Sequence, residues 1–327
     1  MNNQPRVSII TPSYNQASYL AYTIQSVIRQ DYPSIEYGVM DGGSTDDSVD
    51  IIRTYNDDLD WWISEPDRGQ ADAVNKGVEK STGSIVAWLN SDDILLPGAV
   101  SAVVDGFDEH DADMVFGDAI TINAHGVPLN RLAFGEWHLE DLMNFRVICQ
   151  PAVFIKRAVW DSVGGLDESY HYMLDHQLWI RVAAQYNLHH LPRLLAGSRY
   201  HPAAKNVAHA ADFSEEIFRV KSWMEQDSGT AEVYQRQSRR IKGGAYRLSA
   251  RYLLEGGLLK KSLLHSLRAI WYWPGFGLQH WHRILFAFYA LLTGAEPRRR
   301  AISTNPPDLS HELDLEDWPG LSKESDE

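Results

Sequence analysis

Four short polar runs each follow an apolar stretch in the first hundred residues. They are Thr11-Pro12-Ser13-Tyr14-Asn15, Asp41-Gly42-Gly43-Ser44-Thr45-Asp46-Asp47, Glu65-Pro66-Asp67-Arg68-Gly69-Gln70-Ala71-Asp72 and Asn90-Ser91-Asp92-Asp93. Adjacent carboxylates such as Asp92 and Asp93 are costly unless a cation or solvent compensates them, so this pair is a candidate for holding a divalent metal. Asp41 offers an acceptor, and the two glycines after it allow close backbone approach. Arg68, just before a helix start, suits a diphosphate or ribose, because the helix dipole adds favourable potential there. Asp72 and Asn75 lie three apart on one helix face, and Asp72 suits sugar hydroxyls because a carboxylate repels phosphate. Each residue also has a plainer use. Asp41 can cap a strand-to-helix turn, residues 90–93 can form a solvated turn before Pro97, and Asp72 can stabilise its own helix by about 0.3–1 kcal/mol.

The elements that must position these runs are legible from periodicity. Residues 7–11, 35–41, 59–65 and 84–90 read as strands, and residues 19–30, 48–55 and 70–80 between them read as helices. Alternation of this kind predicts a doubly wound α/β sheet, whose ligands bind beyond the carboxyl ends of the strands. All four polar runs are then expected to converge on one cleft. Residues 112–122 and 152–155 predict further strands, and 175–186 a helix. Beyond residue 212 the pattern is almost wholly helical, with a break at Pro274, Gly275 and Gly277.

The series VSIITPSYN, VMDGGSTDDS, EPDRGQADAVNKG and WLNSDDILLPGA, followed by GGLDES and MLDHQLWIRVA, resembles glycosyltransferase family 2, the inverting nucleotide-sugar transferases of GT-A fold. The resemblance covers roughly residues 5–206. It implies that Asp41 recognises a nucleobase, with Thr11, Pro12 and Tyr14 lining the nucleoside pocket. It also implies an Asp-x-Asp-like metal motif at residues 90–93, where Asn90 replaces the first acid. Asp92 is then the best ligand for Mn²⁺ or Mg²⁺, Asp93 an alternative or supporting one, and Ser91 lies beside the donor. Tyr200-His201-Pro202-Ala203-Ala204-Lys205 is similar to the family's Arg-x-His segment with its following Ser-Lys pair, which makes His201 a further metal ligand and brings Lys205 to phosphate. A loop role for His201 is the alternative. Asp175 occupies the position of the base that takes the acceptor's proton, its alternative being an N-cap, and Gln150 and Glu168 are weaker acceptor-side candidates.

Charge and composition set the remaining bounds. The net charge is −14 over 327 residues, which disfavours nucleic acid as a partner. Residues 236–300 nevertheless carry 13 Lys and Arg against two acids, while residues 301–327 carry eight acids and one Lys. Three regions are expected: a GT-A catalytic domain over 1–211, a basic and aromatic helical region over 212–300, and a flexible acidic tail over 301–327. Trp271, Trp273 and Trp281 among Arg and Lys have the composition of an interfacial membrane surface. A subdomain packed on the core or on a twin subunit is the competing reading. The tail would shield this basic patch when no membrane is present.

A single cysteine, Cys149, and no export signal fit the cytoplasm, with peripheral attachment to the membrane's inner face. The expected activity is metal-dependent, inverting transfer of a hexosyl or N-acetylhexosaminyl unit from a nucleoside diphosphate sugar, UDP being the expected nucleotide. The acceptor is a polysaccharide or lipid-linked oligosaccharide of the cell envelope, and a homodimer is possible on this reading. A non-catalytic nucleotide-sugar or glycan-binding protein on the same fold is the alternative. A dinucleotide oxidoreductase is disfavoured because Gly42-Gly43-Ser44 completes neither Gly-x-Gly-x-x-Gly nor a P-loop. A nucleotidyltransferase lacks its usual Gly-rich N-terminal loop with Arg or Lys.

Overall fold

The computed structural model describes residues 4–201, 205, 209–295 and 318–322. Its first half alternates as the periodicity requires: β1 (Val7–Ser13), α1 (Ala17–Ile28), β2 (Ile35–Asp41), α2 (Ser48–Thr54), β3 (Trp61–Ser64), α3 (Gln70–Lys80), β4 (Ile85–Trp88), β5 (Ile94–Leu95) and α4 (Ala99–Glu109). There follow β6 (Met114–Asn123), β7 (Pro128–Leu132), α5 (Leu139–Met143), β8 (Val153–Lys156), α6 (Arg157–Val163), α7 (Leu174–Ala183) and β9 (Leu188–Tyr200). The remaining elements are α8 (Ala210–Gln226), α9 (Ala231–Glu255), α10 (Leu259–Tyr272), the single turn α11 (Pro274–Gly277) and α12 (Trp281–Thr293).

One mixed sheet has the order β3-β2-β1-β4-β8-β6-β9-β5, with β7 paired to β6. Strands β3, β2, β1 and β4 run parallel, whereas β8 lies antiparallel between β4 and β6. The chain leaves β1 first to one side and later to the other, so a crevice opens beyond the carboxyl ends of β1, β2 and β4. All seven residues of β1 are buried because helices cover both faces of the sheet, which explains the unbroken apolar start of the strand. Side chains alternate between two cores. Ile10, Met40 and Val86 face the core shared with α3 and α7, and Ile9, Val39 and Ala87 face the one shared with α1 and α4.

The C-terminal helices join the first of these cores: Ile241, Ala245 and Leu248 of α9 pack in one cluster with Phe145, Leu178 and Trp179. The approach is close at Gly244, where a Cβ would lie 2.0 Å from the Asn144 carbonyl oxygen. Helix α9 can therefore form a wall of the crevice.

Three strands lay outside the expectation, the two-residue β5 among them. The pattern did not predict β9, whose Leu-His-His-Leu-Pro-Arg start looks unlike a strand. The reason is a register break, with Gly117 paired to Leu191 but Asp118 to Leu194, which leaves Pro192 outside the ladder where its missing N–H costs nothing. Strand β7 is a short edge hairpin whose turn is closed by Asn123 Oδ1, which accepts from His125 N and Val127 N, both at 2.9 Å.

Most of the acidic tail lies outside the described residues, as do Pro202, Ala203 and Ala204. The described piece, Trp318 to Ser322, does not sit on the basic helices. Its indole donates to the Leu95 carbonyl at 2.8 Å, and Trp318 and Leu321 pack on Ile94, Leu96, Ile120, Ile122 and Leu194. Ser322 N donates to the Gly126 carbonyl at 3.1 Å.

Candidate active site

A cleft of about 1160 Å³ opens at the strand ends and is lined by Pro12, Tyr14, Gly42, Gly43, Asp67, Gln70, residues 90–93, Gln150, Asp175 and Lys205. Tyr14 is 61% exposed and forms an open wall. Thr11 is fully buried and shares a hydrogen bond of 2.9 Å with the Tyr37 hydroxyl, so it supports the strand end from behind the cleft.

Asp41 is 1% exposed and is spent on its own turn. Its Oδ2 accepts from Gly43 N at 3.1 Å, Ser44 N at 3.0 Å and Ser64 Oγ at 2.7 Å, and its Oδ1 accepts from Ser44 Oγ at 2.5 Å. Through these four bonds Asp41 shapes the Gly42-Gly43 backbone that lines the cleft. The carboxylate that does line it there is Asp67, whose Oδ1 accepts from Gly69 N at 2.8 Å.

Arg68, Asp72 and Asn75 are not among the residues that line the cleft. Asp72 is buried and accepts from Arg68 N at 3.0 Å and Arg68 Nη2 at 2.8 Å, with Lys76 Nζ 3.0 Å away. The Arg68 bond and the Lys76 charge hold its carboxyl well below the usual range. Arg68 also pairs with Glu168 at 2.9 Å, and Asn75 makes two hydrogen bonds of 2.9 Å to the backbone of Leu166. Together these residues brace α3 against the loop before α7, and this brace accounts for Glu168 as well.

The β4 end is built differently. Asn90 Oδ1 accepts from Gln70 Nε2 at 2.6 Å, and Asn90 Nδ2 donates to Asp93 Oδ2 at 3.2 Å. An amide at this position gives Asp93 a donor where an aspartate would add a third charge. Asp93 is 4% exposed, and Arg199 N donates to its Oδ1 at 2.8 Å. Burial, then the neighbouring Asp92 charge, pushes its carboxyl well up. Asp92 Oδ2 lies 3.0 Å from His201 Nε2, and Lys205 Nζ donates to Gln70 Oε1 at 2.8 Å.

Among the described residues no group of three His, Cys, Asp or Glu side chains stands together as a metal site. The Asp92 and His201 pair nevertheless fits a hard divalent cation as two protein ligands. Arg199 stiffens this corner: its Nε donates to the Asp92 carbonyl at 2.9 Å, and its Nη atoms donate to the carbonyls of Asn123, Ala124 and, from the tail, Gly320.

Asp175 stands in the first turn of α7 and faces the cleft. Its Oδ1 accepts from His176 N at 2.7 Å, and burial pushes its carboxyl up to about 6. Sequence reasoning missed what positions it. Glu216 of α8 is buried and accepts from three successive backbone donors, His171 N and Tyr172 N at 2.8 Å and Met173 N at 2.9 Å. These bonds hold the entrance to α7. Gln150 Nε2 donates to the Trp88 carbonyl at 2.8 Å, while its Oε1 is buried in the cleft wall with no partner among the described residues.

The sequence profile of "Glycosyl transferase family 2" matches residues 8–155, which contain the strand ends just described. A "PGL/p-HBAD biosynthesis glycosyltransferase" of Mycobacterium bovis is 32% identical over 182 residues, covering 54% of this chain and 69% of the relative. The chain belongs to glycosyltransferase family 2. Among solved structures of similar shape, S. aureus TarS 1-349 in complex with UDP-GlcNAc aligns with a TM-score of 0.58 at 17% identity, over 88% of this chain and 92% of that one. The full TarS chain is longer, and this protein spans 55% of it. The mannosyltransferase PcManGT of Pyrobaculum calidifontis, in complex with GDP-Man and Mn²⁺, aligns with a TM-score of 0.55 at 17% identity, over 90% of this chain and 89% of that one. The fold of this family 2 glycosyltransferase is GT-A, and α8 to α12 extend it.

Proposed function

We propose that this family member is an inverting, metal-dependent transferase that moves a hexosyl or N-acetylhexosaminyl unit from a UDP-sugar to a hydroxyl of a polysaccharide or lipid-linked acceptor. The observation that carries the reading is Asp175, a half-buried carboxyl lifted to about 6 in the same cleft as Asp92 and Lys205. A base of that strength is poised to take a hydroxyl proton near neutral pH. As Asp175 accepts the proton, the acceptor oxygen bonds the anomeric carbon. The bond from that carbon to the diphosphate breaks on the opposite face, and its electron pair leaves with the nucleotide.

Asp92 and His201 would hold the divalent cation, which supplies neutralisation of the departing diphosphate. Lys205 adds a positive charge on the same side. The UDP-GlcNAc complex of TarS and the GDP-Man and Mn²⁺ complex of PcManGT support a nucleotide-sugar donor and a metal. In this division residues 1–211 bind donor and metal, and the helical region completes the acceptor side.

We also propose that the helical region lies on the cytoplasmic face of the membrane. Among the described residues no helix is long and apolar enough to cross one. Yet α10 exposes Leu264, Leu267 and Trp271, and α12 exposes Trp281, Leu285, Phe288 and Leu292, each set on one helical face. Trp271 is 74% exposed. The surrounding Lys260, Lys261 and Arg268 complement anionic headgroups, which favours a lipid surface over a second copy of the chain.

Incubation with a panel of UDP- and GDP-sugars and Mn²⁺, reading nucleoside diphosphate release and the product's anomeric configuration by NMR, tests the assignment. Donor binding without release, in wild type and with acceptor present, would leave a glycan-binding protein instead.

A further inference from the structure

Beyond Asp175 the cleft continues to a wall built from the C-terminal helices, and that wall is basic in an otherwise acidic chain. Arg146, Arg247 and Arg251 line it, with Tyr252 and Phe276. Arg251 is balanced by Glu255 at 3.0 Å, and Arg146 more loosely by Asp141 at 3.5 Å. Among the described residues no acid pairs with Arg247. One Nη donates to the Phe145 carbonyl at 2.8 Å, while its buried Nε meets no acceptor among the described residues. Burial, then the charges of Arg251, Arg283 and Arg146, push this guanidinium down to about 9. A buried guanidinium among like charges is costly, and an anion beside it relieves that cost.

Its orientation is set in advance. The guanidinium carbons of Arg247 and Arg146 lie 4.3 Å and 5.9 Å from the Phe276 ring centre, a stacking that restrains the planar forks. Planar forks converging from two elements match the several oxygens of a phosphate.

We propose that Arg146, Arg247 and Arg251 form a phosphate-binding subsite on the acceptor side of the cleft, so that the acceptor carries a phosphate or diphosphate group. The proposal rests on the glycosyltransferase reading and deepens it. Tyr252, the neighbour of Arg251, shares the cleft with Asp175, so the anchored group would stand within one acceptor's reach of the base. The donor's own diphosphate is provided for elsewhere, by Asp92, His201 and Lys205.

The test is calorimetry on the full chain. Inorganic pyrophosphate, farnesyl diphosphate and farnesol are titrated in EDTA, which silences a metal-dependent donor site, and UDP is titrated separately with Mn²⁺. Both phosphate compounds are expected to bind, with farnesol about tenfold weaker or worse. Arg247→Gln and the half-exposed Arg146→Gln should each weaken pyrophosphate by about tenfold while UDP stays within about twofold, at unchanged Tm. Tighter binding of farnesyl diphosphate than of pyrophosphate assigns the phosphate to a lipid carrier, and equal binding assigns it to a phosphate-bearing glycan. Unchanged pyrophosphate affinity in both variants overturns the subsite, as does a parallel loss of UDP, which would give these arginines to the donor. Absence of any nucleotide binding in wild type, with pyrophosphate still bound, defeats the transferase reading alone.

Discussion

His201 Nε2 lies 3.0 Å from Asp92 Oδ2 although the two residues are 109 positions apart. The ring is also packed on Tyr19, with centroids 4.7 Å apart, so its direction toward the carboxylate is fixed before any ligand arrives. Mn²⁺ or Mg²⁺ is expected to take this pair as two of its ligands. UDP should then bind about tenfold tighter or more with Mn²⁺ than in EDTA. Asp92→Ala and His201→Ala should each remove the difference, read by calorimetry. Equal affinity in both conditions for wild type counts against a cation.

Asp175→Asn should lower turnover by at least about a hundredfold and leave donor affinity nearly unchanged, since the amide keeps the shape and cannot accept the proton. In wild type, kcat/KM should rise with pH through about 6, where the carboxyl ionises, and then level off. The stability effect has the opposite sign. A carboxyl raised above its unfolded value disfavours folding once ionised, so stability is lost as pH rises through the interval between the ordinary aspartate value and about 6. Asp175→Asn is therefore expected to raise Tm at pH 7.5, with the gain vanishing near pH 4. Turnover and Tm falling together would make Asp175 a structural cap.

The four strand-end runs were legible because each is local: an apolar stretch sets the strand, and the next few residues necessarily stand at its end. Which way their side chains point was not legible. Asp41, Arg68, Asp72 and Asn75 have the residue types of a ligand site, but the same types close turns and brace helices, and here intrachain donors and acceptors absorb them. Glu216, Gln70 and Arg247 were missed because each reaches its place through contacts far along the chain. A lone Glu on an amphipathic helix carries no mark that it will collect three N–H groups of another loop. The resemblance is what proposes Asp175 as the base, since spacing alone leaves it as an N-cap.

The tail's Trp318 should matter to the metal corner. Gly320, two residues on, accepts from the Arg199 guanidinium at 3.2 Å, and Arg199 in turn holds Asp92 and Asp93 through the bonds already described. Trp318→Ala removes the indole bond to Leu95 and its packing, an expected loss of about 1–3 kcal/mol by thermal unfolding. The Mn²⁺ concentration for half-maximal donor hydrolysis should rise about two- to fivefold. A variant with wild-type Tm and wild-type Mn²⁺ response would make the contact incidental.

The apolar faces of α10 and α12 make the last expectation quantitative. A globular surface seldom exposes two tryptophans beside leucines at helical spacing, and nothing among the described residues covers Trp271 or Trp281, which are 74% and 58% exposed. Basic groups near an anionic surface contribute about 1 kcal/mol each before screening, while the tryptophans insert at headgroup depth. The full chain should co-sediment with vesicles containing anionic lipid, not with neutral ones, and release should increase with salt. Trp271→Glu together with Trp281→Glu should abolish binding while UDP affinity persists, because neither residue lines the cleft. The described part of the tail docks beside Leu95, so truncation after residue 305 should leave vesicle binding within about twofold, in place of the strengthening that a shielding tail requires. A chain that remains in the supernatant at low salt and elutes as a dimer, with the double substitution restoring the monomer, would assign these faces to a second copy.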